Sequence, residues 1–317
     1  MNEKFRRIIC SLEFHLALVA LLNVDLGLWS LFIEAGDAKL NITLRNTLLF
    51  AIIVYTVLVF IWRKLLLSKF TWILYLAFST FCLLSGLPYS SNLYFLWVYI
   101  DAFLVLLFFT TFSKQRKMEI IVLSSKILIC TIFAIALLQK LITPSFMDGS
   151  FYYQAFSSGF FGFQFAPFAE RFLFQEGLSL DVIKSNTEVM ASMNPNLTLN
   201  STILVPIYQS ELLLNAAKFM SWSTIMIEGG CLLLFGFNKK KKNQYLNHLT
   251  LFAFLIGTYS IVPIIYDWGL TFATLGMATA SRKWKPYYLL TMIYILISAM
   301  IFAPVTTALF RHYQGII

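Results

Sequence analysis

Apolar residues fall along this chain in long blocks separated by short polar turns. The blocks run over 16–33, 47–62, 71–87, 93–112, 120–142, 212–236, 246–266 and 286–309, each close to the about twenty residues a helix needs to cross a bilayer. Stretches such as 48–62 and 103–112 show no alternation of polar and apolar positions, so a membrane β-barrel does not fit and helices are the predicted elements. Segment 267–281 is short for a span, yet Arg282, Lys283 and Lys285 follow it and favour the cytoplasm, which points to a short or re-entrant crossing. Eight and nine crossings therefore both remain open. Residues 143–211 form the long connection. Its first half is aromatic and glycine-rich and its second half polar, and it is expected to lie across the outer membrane face or to cap the bundle.

Composition changes the class of protein under consideration. Of 317 residues 59 % are hydrophobic and only 12 % charged, with a mean hydropathy of +0.76. A soluble domain keeps about a quarter of its residues charged, so this chain has too little polar material to coat a water-facing surface. The expectation is an all-α integral membrane protein, with residues 1–317 forming one polytopic domain.

The charge pattern gives a topology. The net charge is +9, from 24 Lys and Arg against 15 Asp and Glu, but the basic residues sit in the turns between apolar blocks. No basic groove with interleaved aromatics points to nucleic acid. Lys4, Arg6 and Arg7 precede the first block as in a signal peptide, yet no small-residue cleavage site follows, so the block reads as a retained span. With the N-terminus cytoplasmic, the turns holding Arg63, Lys64 and Lys69, then Lys114, Arg116 and Lys117, then Lys239, Lys240, Lys241 and Lys242 all fall inside. The sequons at Asn41, Asn196 and Asn200 then fall outside. Cys10, Cys82, Cys130 and Cys231 are far apart, as are His15, His248 and His312, which argues against a metal site or a dithiol relay.

Ionisable residues within apolar spans are costly and usually face a bundle interior or a watered cavity. Here they are Asp25, Asp101, Lys126, Lys140, Lys218, Glu228 and Asp267. Lys126 and Lys218 are near span ends, where snorkelling to headgroups explains them. Asp25 and Asp101 sit deeper and must find hydrogen-bond partners or stay protonated. Lys140 closes the fifth span in Ala136-Leu137-Leu138-Gln139-Lys140-Leu141, ahead of Ser145-Phe146-Met147-Asp148-Gly149-Ser150-Phe151-Tyr152-Tyr153. A lysine there is an ordinary interfacial anchor if water reaches it; if the aromatic segment covers it, the amine becomes available as a base. Glu228, in Trp222-Ser223-Thr224-Ile225-Met226-Ile227-Glu228-Gly229-Gly230, lies near mid-span, placed to pair with a lysine or to position a polar substrate. The two glycines after it allow close approach of a helix or ligand.

At these strings the chain resembles a family. A lysine closing a span, then a bulky residue, an acid, a glycine and aromatics, is similar to the corresponding segment of vitamin K-dependent gamma-glutamyl carboxylase and its bacterial HTTM relatives. The stretch from Trp222 to Phe235 and the apolar run from Leu249 through Gly257 to Trp268 resemble later helices of that family. The resemblance covers residues 10–280 as a pattern of spans, with the two short strings as its specific part. It implies that Lys140 is the base that deprotonates a reduced quinone, with a membrane quinol as redox cofactor. Two departures stand beside it. The carboxylase has an assisting histidine where this chain has Tyr89-Ser90-Ser91-Asn92-Leu93-Tyr94, and no large external domain is expected, since the chain ends soon after the last span at Ile317. A compact form of this size resembles the HTTM membrane component of Sdp-type peptide-toxin systems, which works with a small partner protein on a secreted precursor peptide.

The reading that follows is a multi-pass protein of a cell membrane, in a bacterium the cytoplasmic membrane, that modifies or matures an exported peptide at its external side. Lys140 acts as base or proton carrier, Glu228 orients it or the substrate, and Tyr152, Tyr153, Asp148 and Asp101 are the candidate substrate contacts; no metal ligand set is expected. A non-enzymatic scaffold or export factor is the rival. A small-molecule transporter fits less well, because no internal symmetry of paired, interrupted helices is found.

Overall fold

The structure, a computed structural model, describes residues 3, 8–33, 42–85, 92–157, 211–237, 244–261 and 266–313. The described residues are all-helical, and helices occupy every one of the apolar blocks: α1 (Leu12–Ile33), α2 (Ile42–Ile61), α3 (Lys69–Ser85), α4 (Asn92–Phe109), α5 (Lys114–Ile142), α6 (Pro144–Met147), α7 (Ser150–Ser157), α8 (Glu211–Phe237), α9 (Gln244–Ile261), α10 (Tyr266–Thr279) and α11 (Lys285–Tyr313). Two of them, α5 and the Leu214–Phe237 part of α8, are long and apolar enough to cross a membrane. Shorter apolar helices lie at Thr47–Ile61, Lys69–Leu84, Phe95–Phe109 and Lys285–Met300. The larger part of the long connection, residues 158–210, lies outside the described residues, as do the asparagines of the three sequons and the four-lysine turn.

These helices are not the buried rods of a soluble core. Leu123, Ile127, Ile135, Leu138 and Ile142 of α5 are all exposed, as are Phe219, Trp222, Met226, Leu233 and Phe237 of α8. Large apolar side chains left outside at this density need a lipid or protein surround.

Internal contacts group the chain into two compact units, unit 1 comprising Met1–Ser125 with Leu270–Leu289 and unit 2 comprising Lys126–Gly269 with Leu290–Ile317. In unit 1, α4 packs chiefly against α3, and α1 against α2 and α3. A 3₁₀ turn at Arg63–Leu67 joins α2 to α3 and is tied down by side chains of the following helix: Trp72 Nε1 donates to the Leu66 carbonyl (3.0 Å) and Thr71 Oγ1 to that of Leu65 (2.6 Å). The Trp72 ring, fully buried, stacks on Phe108 of α4 at 6.2 Å. In unit 2, α8 packs against α7 and α9. Phe133 of α5 meets Phe254 of α9 edge-on at 4.9 Å, a geometry favoured by the ring quadrupoles.

Unit 1 also holds a pair that charge counting does not foresee. Lys285, placed by its sequence context among the cytoplasmic positive charges, is buried, with Nζ 2.9 Å from His15 Nε2. An ammonium has only donors, so Nε2 accepts; Nδ1 therefore carries the ring proton and donates to the Ser11 carbonyl at 2.9 Å.

Candidate functional site

The site in unit 2 begins where α5 stops. Thr143 precedes Pro144, and the proline ring pushes it into an extended conformation (φ −97°, ψ 109°), which ends the helix; Pro144 then starts the single turn of α6 at a position where its missing N–H costs nothing. Asp148 closes that turn. Its Oδ1 accepts the backbone N–H of Ser150 at 2.8 Å and so caps the first turn of α7. This hydrogen bond, with Lys218 nearby, holds the Asp148 carboxyl below the usual carboxylate range.

Between the two short helices stands Gly149, with φ +84°. A Cβ here would lie 2.8 Å from the backbone nitrogen and 2.9 Å from the Cα of Lys218, so the α6–α7 corner sits directly on the α8 backbone. Glycine is required twice over, by the left-handed backbone and by the close approach. From this corner the aromatic segment folds inward. Phe146 stacks on Phe151 (4.5 Å) and meets Tyr152 edge-on (5.5 Å), while Tyr152 packs with Ala217, Tyr153 and Met220.

Under this corner Lys140 and Glu228 form an ion pair, the Lys140 Nζ donating to Oε1. The side chains are 16 % and 5 % exposed, so the pair lies almost wholly inside the protein. The Nζ also sits 5.4 Å from the centre of the Phe146 ring, a cation–π distance. Glu228 Oε2 is buried and has no hydrogen-bond partner. One turn before Glu228 on the same face of α8, Thr224 Oγ1 donates to the Met220 carbonyl at 2.8 Å. Its proton is thus used, and the 2.8 Å contact with Tyr152 must be a hydrogen bond donated by the phenol. A Cβ on Gly229 would meet only the Leu137 side chain, at an ordinary 3.8 Å, so the expected close approach at the two glycines does not require glycine there.

The structure thus brings together Lys140, Glu228 and Tyr152. Tyr153 is half-buried in the same aromatic layer, and Asp148 is exposed at its edge. Asp101 falls in unit 1, fully buried, hydrogen-bonded to Asn23. Sequence reasoning did not single out Thr224 or Gly149; a hydroxyl one turn before an intramembrane acid, and a glycine after a helix-capping Asp, are the signals that could have found them.

These features define a protein whose described residues are all-helical, with two helices long and apolar enough to cross a membrane and a buried lysine–glutamate pair beneath an aromatic corner. Comparison with protein-family models, with curated proteins and with solved structures finds no match.

Proposed function

We propose that this chain is a multi-pass protein of the cell membrane, with eight or nine crossings and a cytoplasmic N-terminus, that modifies or matures a secreted precursor peptide at the external end of its bundle. The observation that carries the reading is the Lys140–Glu228 pair, roofed by Phe146 and left with one acceptor oxygen unused. A pair kept only as a clasp between helices gains most when every lone pair is satisfied. An unpartnered buried carboxylate oxygen is instead where a donor on a substrate would bind, such as a peptide N–H or a hydroxyl.

In this mechanism Glu228 Oε1 receives the proton of the Lys140 ammonium along their hydrogen bond. The resulting amine lone pair accepts a proton from the substrate, and Glu228 returns its own proton as the product leaves. Tyr152, fixed by Thr224, holds the aromatic layer that keeps water from the amine. A membrane quinol, implied by the HTTM and carboxylase resemblance, fits the donor set: Lys140 and Glu228 would hold its hydroxyl, and it would supply reducing equivalents. A small partner protein would present the peptide at the surface formed by Asp148 and Tyr153.

The test is the double variant Lys140→Met with Glu228→Leu, which removes the base without leaving a bare charge, in the native host, with mature peptide in the medium measured by mass spectrometry and membrane abundance by immunoblot. Loss of product at normal abundance supports the proposal; normal product from a normally abundant variant removes Lys140 from the chemistry. The scaffold reading is favoured by one observation, that the pair also joins α5 to α8. Reversing both charges (Lys140→Glu with Glu228→Lys) separates the two, since a clasp survives the swap and a catalytic base does not.

A further inference from the structure

Unit 1 contains a second polar pair, independent of the site above. Asp101, at the middle of α4, is fully buried. Its Oδ1 accepts a hydrogen bond from Asn23 Nδ2 on α1 at 3.1 Å, and the other amide hydrogen of Asn23 goes to the Val19 carbonyl at 3.2 Å. Two oxygens are left over. Asn23 Oδ1 and Asp101 Oδ2 are both buried and both lack a hydrogen-bond partner. Among the described residues the ion pairs join other groups, and none brings a cation to Asp101.

An ionised carboxylate here would leave an unpaired charge and two idle acceptors in an apolar interior, which is among the costlier arrangements a fold can hold. A single proton removes all three defects. An amide and a carboxylic acid pair through two antiparallel hydrogen bonds, and one of the two is already made. We propose that Asp101 carries a proton on Oδ2 and donates it to Asn23 Oδ1, so that α1 and α4 are joined through a proton-binding site inside the bundle.

The neighbouring groups leave this role open to the proton. Ser79 of α3 is a second hydrogen-bonding neighbour of the carboxyl, its hydroxyl shared with the Leu76 carbonyl at 3.3 Å. Tyr75 of α3 is the titratable group that faces Asp101, and its phenol is already committed: Thr56 of α2 gives its proton to the Ile52 carbonyl (2.8 Å), so Tyr75 donates to Thr56 (2.8 Å). Asp25, two residues beyond Asn23 on α1, is half-buried. Among the described residues, Asp101 Oδ1 and Oδ2, Asn23 Oδ1 and Ser79 Oγ make four side-chain oxygens, short of the about six that a hard metal cation takes.

The experiment uses the full-length protein in detergent and compares Asp101→Asn, Asp101→Ala and Asn23→Leu with wild type. The amide of Asp101→Asn reproduces the protonated acid, accepting on one side and donating to Asn23 Oδ1 on the other. It is expected to keep the wild-type melting temperature, while the other two variants melt several degrees lower. Infrared difference spectra at neutral pH should show a protonated-carboxyl stretch in wild type that Asp101→Asn lacks. The proposal is overturned if Asp101→Asn loses as much stability as Asp101→Ala, or if that stretch is absent. It is also overturned if sodium, but not choline, raises the wild-type melting temperature and Asp101→Asn abolishes the response; an alkali cation would then occupy the two oxygens.

Discussion

In unit 1 most polar contacts between helices join uncharged side chains, as in Tyr55 to Thr71 and Tyr75 to Thr56, with one buried lysine, Lys285, set against His15. In unit 2 the central contact is an ion pair, with one hydroxyl pair, Tyr152 to Thr224, beside it. The difference lies in what each arrangement tolerates. A hydroxyl that donates to its own helix carbonyl and accepts from a neighbour is self-sufficient, and losing one partner costs a single modest bond. An ion pair in the same surroundings depends wholly on both members, because either one alone is a bare charge in an apolar interior. Unit 1 resembles a frame, while unit 2 carries the feature most expensive to maintain, which is where chemistry is expected.

The sharpest way to break this contrast is to remove one charge. Lys140→Met leaves Glu228 without its cation and is expected to destabilise the protein by about 3–5 kcal/mol. Replacing both, Lys140→Met with Glu228→Leu, should recover most of that loss while leaving peptide product absent. Thermal unfolding in detergent, followed by tryptophan fluorescence, reads the first quantity, and mass spectrometry of the medium reads the second. A double variant that restores product would show the pair to be structural, as in unit 1.

Next in size is Gly149→Ala, which tests whether the aromatic corner is fixed to α8. The left-handed backbone costs a β-carbon about 1–2 kcal/mol, and overlap with the Lys218 backbone adds about 1–3 more. Besides the Lys218 Cγ at 2.7 Å, the obstructing atoms are main chain, which no side-chain rotation moves. The expected outcome is a lower melting temperature with faster proteolysis after residues 144–157, and unchanged cleavage there would show that the corner is loosely held.

The helices were legible because long apolar blocks mark them, although among the described residues only two, α5 and the Leu214–Phe237 part of α8, are long and apolar enough to cross a bilayer. The edges were not. The fifth span was expected from 120, whereas α5 starts at Lys114, since its first turn is polar and is held by an Arg116–Glu119 pair (2.9 Å) that a hydropathy reading passes over. The break at Pro144 and Gly149 was visible only as turn-forming residues inside a long loop. For the site, Lys140 and Glu228 each stood out as ions in apolar runs, and a lysine partner was one of the two roles open to Glu228, beside positioning a polar substrate. Their pairing across 88 residues needs the helices to be packed. The same holds for Asn23 with Asp101 and for His15 with Lys285, where separations of 78 and 270 residues leave no local signal.

Smaller effects sharpen the comparison at the level of single hydroxyls. Double-mutant cycles for Tyr75→Phe with Thr56→Val in unit 1, and Tyr152→Phe with Thr224→Val in unit 2, should each give a coupling of about 0.5–1.5 kcal/mol, the range for polar contacts between helices in lipid. Both phenols donate, so Tyr→Phe leaves the threonine hydroxyls bonded to their own helices. If the unit 2 cycle changes product yield while leaving the coupling in this range, Tyr152 serves the site as well as the packing.

The smallest effect concerns the rim. Asp148 is exposed, and its carboxyl is held below the usual carboxylate range by the Ser150 N–H, so the folded state binds that proton less readily than the unfolded state. The bond's contribution is therefore fully present above the ordinary carboxylate range and fades as pH falls through the lowered folded value. Asp148→Asn keeps an acceptor for Ser150 but has nothing to titrate. Its melting temperature should consequently fall less than that of wild type between neutral and strongly acid pH, by a margin well under that of the Tyr152 cycle. Parallel acid melts of the two proteins check this, and identical pH profiles would mean that the Asp148 carboxylate contributes nothing to holding α7 in place.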